Sequence, residues 1–192
     1  MKHSLLLTLL LTISLPLAAQ AADSYTIDPE HSFPHFSVNH LGFSTLQGRF
    51  DKTSGKATLD IAGKKGSVEL NVEAASVSTG FAKRDTHLRS PDFFNAAEFP
   101  LVTFKSTSFK FKGDKPESIE GNLTLLGVTK PVKLTVISFN CGLDPMDPLK
   151  RREKCGADVS AQIKRTDFGM KFGVPMVGDD IKLVFEIEAI KD

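Results

Sequence analysis

Over most of this chain apolar and polar residues alternate, the pattern that puts successive side chains on opposite faces of extended strands. Val68, Leu70, Val72 and Ala74 make one apolar row, Val132, Leu134 and Val136 a second, and Leu183, Phe185, Ile187 and Ala189 a third. Shorter rows run through Phe36, Val38 and His40, through Val102 and Phe104, through Ile119, Leu123 and Leu125, and through Val159, Ala161 and Ile163. The pattern predicts strands at 25–28, 32–40, 45–51, 56–61, 67–74, 101–111, 119–125, 132–139, 159–163 and 181–190, with the first on a sheet edge. Gly63 to Gly66, Gly113 to Pro116 and Gly127 to Pro131 read as the turns between them. Gly48, in mid-strand, marks a bend or a close approach by neighbouring backbone.

The stretch 79–100 does not alternate. Phe81, Arg84 and Leu88 recur at helical spacing, Asp85 and Arg89 lie four apart, and Pro91 ends the pattern. Phe93, Phe94 and Phe99 follow among turn residues. A short helix with an aromatic tail between long strands would cover a sheet that curls on itself. Many antiparallel strands in one domain must close as a barrel or stack as a sandwich. The helical insert, the mid-strand glycines and the aromatic content favour the barrel, whose interior at eight strands can hold one small ligand.

Residues 1–21 stand apart. Lys2 precedes a nearly continuous apolar run from Leu5 to Leu17, and Ala19-Gln20-Ala21 is a small-x-small cleavage signal. The run is short for a membrane span. A cleaved leader is therefore expected, leaving 22–192 as a single exported domain without an integral membrane segment. The chain carries a formal charge of +1, and Lys2 leaves with the leader, so the remainder is close to neutral and lacks the basic footprint of a nucleic-acid binder. All 15 phenylalanines lie beyond the leader, with one tyrosine and no tryptophan; such rings fill a dry core or line an apolar cavity. In an exported chain the two cysteines, Cys141 and Cys155, read as a disulfide closing a long connection from Asn140 to Gly156, with a pair of free thiols as the alternative.

Motifs for catalysis are missing: the chain has no G-x-S-x-G, no H-E-x-x-H and no glycine-rich phosphate loop. Asp167-Phe168-Gly169 lacks the companion motifs of a kinase and reads as a turn that tucks Phe168 into the core. His31, His35, His40 and His87 lack metal-ligand spacing, so neither metal nor cofactor is expected. His40 shares its strand face with Phe36 and Val38, where it is either a ligand contact or a structural histidine bonded to backbone. Arg84 and His87 share a helical face, which sets two readings side by side. Asp85 pairs with Arg89 on a solvated face, or Arg84 and His87 meet a polar or anionic headgroup at a cavity mouth. Lys150-Arg151-Arg152 is a short basic run of the kind usually solvated.

The runs V-N-H-L-G-F-S-T-L-Q-G-R-F from Val38, R-D-T-H-L-R-S-P-D-F-F from Arg84, F-P-L-V-T-F-K-S from Phe99 and G-N-L-T-L-L-G-V-T-K-P-V from Gly121 together resemble the YceI-like family, in order along the whole exported chain. The resemblance implies an all-β fold, an extended antiparallel lipocalin-like barrel of about eight strands with one short helical insert and a deep apolar channel. It implies a periplasmic or secreted, non-enzymatic protein that binds a long-chain amphiphile, polyisoprenoid or fatty-acid derived. It makes Phe36, Val38, Phe50, Phe94, Phe99 and Phe104 candidates for the channel wall, with His40 and His87 nearer its polar features. The cysteine pair is a departure from the family's common core. Two other readings stay open: a protein-interaction module with a filled core, and an enzyme using His40 or His87 as base on a bound lipid chain. An exposed edge strand near Tyr25 would also support a homodimer.

Overall fold

A computed structural model describes residues 22–149 and 151–192; the expected leader and Lys150 lie outside the described residues. Eleven strands form one antiparallel sheet: β1 (Asp23–Ile27), β2 (Phe33–His40), β3 (Ser44–Phe50), β4 (Thr53–Asp60), β5 (Lys65–Glu73), β6 (Val77–Ser78), β7 (Leu101–Lys112), β8 (Lys115–Leu125), β9 (Val128–Leu143), β10 (Glu153–Lys164) and β11 (Val177–Lys191). One helix, α1 (Ala82–Leu88), lies between β6 and β7. No helix among the described residues is long and apolar enough to cross a membrane.

Eight strands close into a barrel in the order β1-β4-β5-β7-β8-β9-β10-β11, with β11 returning to β1. The alternating rows of the sequence become its interior. Ile27, Leu59, Leu70, Phe104, Leu123, Leu134, Val159 and Ala189 are all buried in one cluster. The strand β11 is too long for β1 alone. Its C-terminal end pairs with Tyr25 to Ile27, while Ile181 to Glu186 pair with β2. From there β2, β3 and β6 continue the wall as a flap beyond the ring.

Several expectations change. The strand at Tyr25 is no open edge: it pairs with β4 on one side and β11 on the other, so no free backbone edge is offered there for a second copy. The strands β8, β9 and β11 all begin earlier than the pattern indicates. Pro116 enters β8 opposite a register shift at Lys110/Phe111, where no ladder hydrogen bond is required of it. The connection after Asn140 is shorter than expected, because β9 and β10 run through both cysteines. Cys141 and Cys155 lie directly opposite each other in the ladder, so their disulfide ties two strands rather than tethering a loose loop.

An ionic cluster fastens the seam where β11 meets β1 and β10. The fully buried Ser32 donates its hydroxyl to the Glu188 carbonyl and accepts the Glu188 N–H. Asp28 accepts from the Glu30 N–H, from His31 Nδ1 at 2.9 Å and from Lys154 Nζ at 3.3 Å. Burial pushes the Asp28 carboxyl up, but those hydrogen bonds outweigh it and hold it below its ordinary range. Asp28 in turn raises the His31 imidazole. Across β11, which separates β1 from β10, the Tyr25 hydroxyl donates to Glu153 at 3.0 Å, and burial together with that carboxylate pushes it up to about 12.

Two predictions follow from this end of the barrel. Reducing the disulfide, or the pair Cys141→Ser/Cys155→Ser, should lower the unfolding free energy by up to about 3 kcal/mol on a chain-entropy estimate, read by urea denaturation; equal stability with and without the bond would refute it. The second concerns pH. A raised His31 stabilises fully below about pH 6.5, its ordinary value, and loses its contribution as pH rises through the higher folded value. A lowered Asp28 stabilises above about pH 4 and loses its contribution as pH falls through the folded value. The urea-midpoint gap between wild type and His31→Gln should therefore be widest near pH 5–6 and shrink on both sides; a gap independent of pH would remove the pair from the linkage.

Candidate functional site

Above the packed core the barrel is hollow. A cavity of about 340 Å³ lies between the flap strands, β11 and α1 with the segment behind it, lined by 26 residues, none of them a carboxylate. Pro34, Phe36 and Val38 of β2, Leu46 and Phe50 of β3, Val72, Val102, Leu123 and Leu125 of the ring, and Leu183 and Phe185 of β11 form its apolar wall. Phe36, Phe50 and Phe94 meet edge to face or tilted, with ring centroids 5.2 to 6.3 Å apart, a geometry in which aromatic rings attract. Gly48 is required here. A Cβ at that position would stand 2.4 Å from the Phe36 ring and 2.8 Å from Thr79; the close approach that its mid-strand place signals is made by side chains rather than backbone.

The cover is held by polar contacts that the helical pattern conceals. Asp85 is buried and accepts from the Thr79 N–H at 2.9 Å and from the Thr79 hydroxyl. It does not pair with Arg89 on a solvated face; Arg89 donates instead to the carbonyls of Ala75 and Val77. Phe81 caps the helix N-terminus and is 56% exposed, outside the apolar stripe. Arg84 donates Nε to the Thr79 hydroxyl at 2.7 Å and Nη2 to the Thr79 carbonyl at 2.9 Å. His87 bonds Asp92 at 2.7 Å and packs edge-on against Phe93 and Phe172.

Of the nine candidate contacts, Phe36, Val38, His40, Phe50, Arg84, His87 and Phe94 come together on this cavity. Phe99 and Phe104 do not. Phe99 packs on the β8–β9 turn, so closely that a Cβ at Gly127 would meet its ring at 2.9 Å. Phe104 is buried below the cavity. Its register neighbours are Leu123, which faces the cavity, and Leu70, which faces a separate void of about 70 Å³ near Cys155. It is thus part of a floor that divides the deep channel expected of this fold.

Arg165 is not among the expected contacts. It sits on a 3-10 turn after β10, is 2% exposed, and lines the cavity. Nε donates to the Gly178 carbonyl at 2.9 Å, Nη1 to Met170 at 3.2 Å and Nη2 to Val177 at 2.9 Å. Burial lowers its pKa, and the Asp179 carboxylate, which accepts from the Thr166 N–H and hydroxyl, acts in the opposite sense. Neither Arg84 nor Arg165 forms an ion pair with a carboxylate among the described residues. The one sequence signal for Arg165 is position: it follows the inward row Val159–Ala161–Ile163 with the same parity.

The four histidines do not assemble a metal site. Asp28, His31 and Glu188 bring one ligand atom each within 4.8 Å, but the Lys154 ammonium bonds both Asp28 and Glu188 and occupies the centre a cation would take. His40 and His87 face the cavity, and His35 lies 3.0 Å from Glu186.

The YceI-like domain family matches residues 25–189. A UPF0312 protein of Shewanella denitrificans is 40% identical over 195 residues, covering all of both chains. Among solved structures, the Campylobacter jejuni YCEI protein superposes with a TM-score of 0.67 at 28% identity, over 80% of this chain and 90% of that one. A polyisoprenoid binding domain from Saccharophagus degradans superposes with a TM-score of 0.62 at 18% identity, over 88% and 98%. This chain therefore belongs to the YceI-like family, and with that membership it is a periplasmic, non-enzymatic protein.

Proposed function

We propose that the protein binds an amphiphile with a long apolar chain, isoprenoid or fatty-acid derived, and holds it as a periplasmic carrier or store. One observation carries this reading: the cavity is walled by aliphatic and aromatic side chains, and among the described residues its only charged lining groups are Arg84 and Arg165, besides three histidines. A volume near 340 Å³ lies within the range of small-molecule sites, roughly 300–1,000 Å³. The apolar chain gains about 0.8 kcal/mol per buried CH₂ before association costs. The guanidinium donors that the carbonyls and Thr79 leave over suit an anionic head, such as a carboxylate or phosphate. The isoprenoid option draws on the fold likeness to the Saccharophagus domain named for polyisoprenoid binding. The filled core of an interaction module is not what this barrel has.

Native mass spectrometry of the protein taken from the periplasm without detergent should show a discrete adduct that extracts as a long-chain amphiphile. Phe36→Glu should abolish uptake of such chains in a protein that stays folded, because it puts a charge into the aromatic wall; retained uptake would sink the proposal. Arg84→Met should still admit the chain but lose about 10- to 100-fold of its preference for an acid over the alcohol of equal length. Calorimetric titration of both variants with a fatty acid and its alcohol reads this directly.

A further inference from the structure

The end of the barrel at which the cavity reaches the surface is ringed by apolar side chains that the fold leaves uncovered. Three segments meet there: 41–43 between β2 and β3, 81–88 at the helix, and 171–176 before β11. The first and third are joined by the Leu41 N–H bonding the Met176 carbonyl at 2.8 Å. The second and third are joined by the His87 ring on Phe172, centroids 5.2 Å apart. Phe43 is 90% exposed and Met176 64%, and Leu41, Phe81, Phe172 and Val174 are exposed with them. Phe172 also lines the cavity, while His40 and Val177, the neighbours of Leu41 and Met176, line it from the other side. Rim and cavity wall are one continuous apolar surface. A patch of this kind on a soluble protein marks an interaction site.

Charge identifies the occupant. The three segments contain Lys83, Arg84, His87 and Lys171, and Lys83 and Lys171 are exposed. Their single carboxylate is Asp85, buried and bonded to Thr79; the nearby Asp92 is taken up by His87. Apolar side chains at the tips and cations beside them complement a bilayer that bears anionic lipid; of the flanking carboxylates, Asp179 and Asp180 pair with Lys164, and Asp167 on the adjoining turn is exposed. The opposite end is different. Leu143, Met146 and Leu149 are exposed there too, with the exposed Arg151 and Arg152 beside them, but these cations are mixed with the carboxylates Asp144, Asp147 and Glu153. We propose that the rim Leu41–Phe43, Phe81 and Phe172–Met176 seats the protein on an anionic membrane surface, cavity mouth against the lipid. An amphiphile would then pass between bilayer and barrel without crossing water. This goes beyond ligand binding, and docking is measured independently of whether the cavity is filled.

The test is flotation of the periplasmically purified protein with phosphatidylethanolamine vesicles containing phosphatidylglycerol, against vesicles of phosphatidylcholine alone. The expected result is binding to the anionic vesicles that weakens as salt is raised. The surface pair Phe43→Ser/Met176→Ser should weaken it by about tenfold or more, and Met146→Ser/Leu149→Ser at the far end should leave it unchanged. The protein has no tryptophan, so Phe43→Trp is a clean reporter: its emission should shift to the blue on adding anionic vesicles and be quenched by brominated acyl chains. Failure of the wild type to float, or loss of binding in the far-end pair instead, would overturn the proposal. So would a Phe43→Trp shift that appears on concentration without vesicles and accompanies a doubled mass, which would give the rim to a second copy. Retention of a periplasmic protein by the rim without vesicle binding would give it to a protein partner.

Discussion

The divided edge of β11 is the constraint on which the rest of the molecule depends. A single strand edge offers one row of donors and acceptors, and β11 shares its row between two partners. Its C-terminal end takes β1 and closes the eight-strand ring; the stretch before it takes β2. Had one strand covered the full length, the barrel would have closed evenly and its alternating rows would have filled it. Because β2 and β3 continue the wall from β11 beyond the ring, the wall opens at that end, and the gap is spanned by α1 and Phe93–Phe94 instead of by another strand. The cavity is thus a product of topology before it is a product of side-chain size. The seam at which the two partners of β11 meet is where Ser32 and Asp28 are buried and where half-buried Lys154 joins Asp28 to Glu188, polar groups engaged where backbone pairing changes hands.

The same division sets the electrostatics. A cavity walled by Phe, Leu, Val and Ile gives any charge on its surface little competition from water, so the sign of the few ionic groups matters more than their number. Arg165 is fixed by the Met170 carbonyl of the preceding loop and by the Val177 and Gly178 carbonyls at the start of β11, which secures its geometry without neutralising it. Arg84 is fixed through Thr79, which stands between the guanidinium and Asp85. In both places a threonine holds the nearest carboxylate, Asp179 by Thr166 and Asp85 by Thr79, and keeps it out of direct contact with the guanidinium. The arrangement leaves two cations oriented toward an apolar space, each with donors to spare.

Much of the barrel was legible because alternation is a local signal: a buried row such as Leu183, Phe185, Ile187 and Ala189 declares its face whatever it packs against. Ring closure was not legible, since nothing local to Tyr25 reveals that Lys191 lies beside it. Prolines misled at the strand starts, because a bulge that excuses Pro116 from the ladder depends on the partner strand. The helix was read from spacing, but its charged residues were assigned by spacing too, and Asp85 proved to be bonded to Thr79 six residues upstream rather than Arg89 four downstream. Phe104 looked like wall because aromatic character does not distinguish a lining ring from a floor ring. Arg165 escaped notice because a lone arginine after a strand is ordinarily solvated, and only the fold of the following loop brings three carbonyls around it.

Two apolar clusters meet at the cavity. One is the barrel core, from Tyr25 and Leu70 to Phe168 and Ala189; the other is small, built on Phe50, Val72 and Val77 with Phe36, Leu88 and Phe94 packed against it. The first is secured by the ring, the disulfide and the ionic seam. The second depends on three rings touching edge to face or tilted and on the space that Gly48 leaves for Phe36. The open volume lies where these clusters fail to interdigitate, and Phe104 in its floor belongs to the first. The depth of the site is therefore tied to the stability of the barrel, since enlarging the floor would open its core. Its width and its mouth belong to the smaller cluster, where a change of ring or helix contact alters the cavity without breaking the ring. Such a separation would let the width and mouth of the cavity vary while its depth stays fixed.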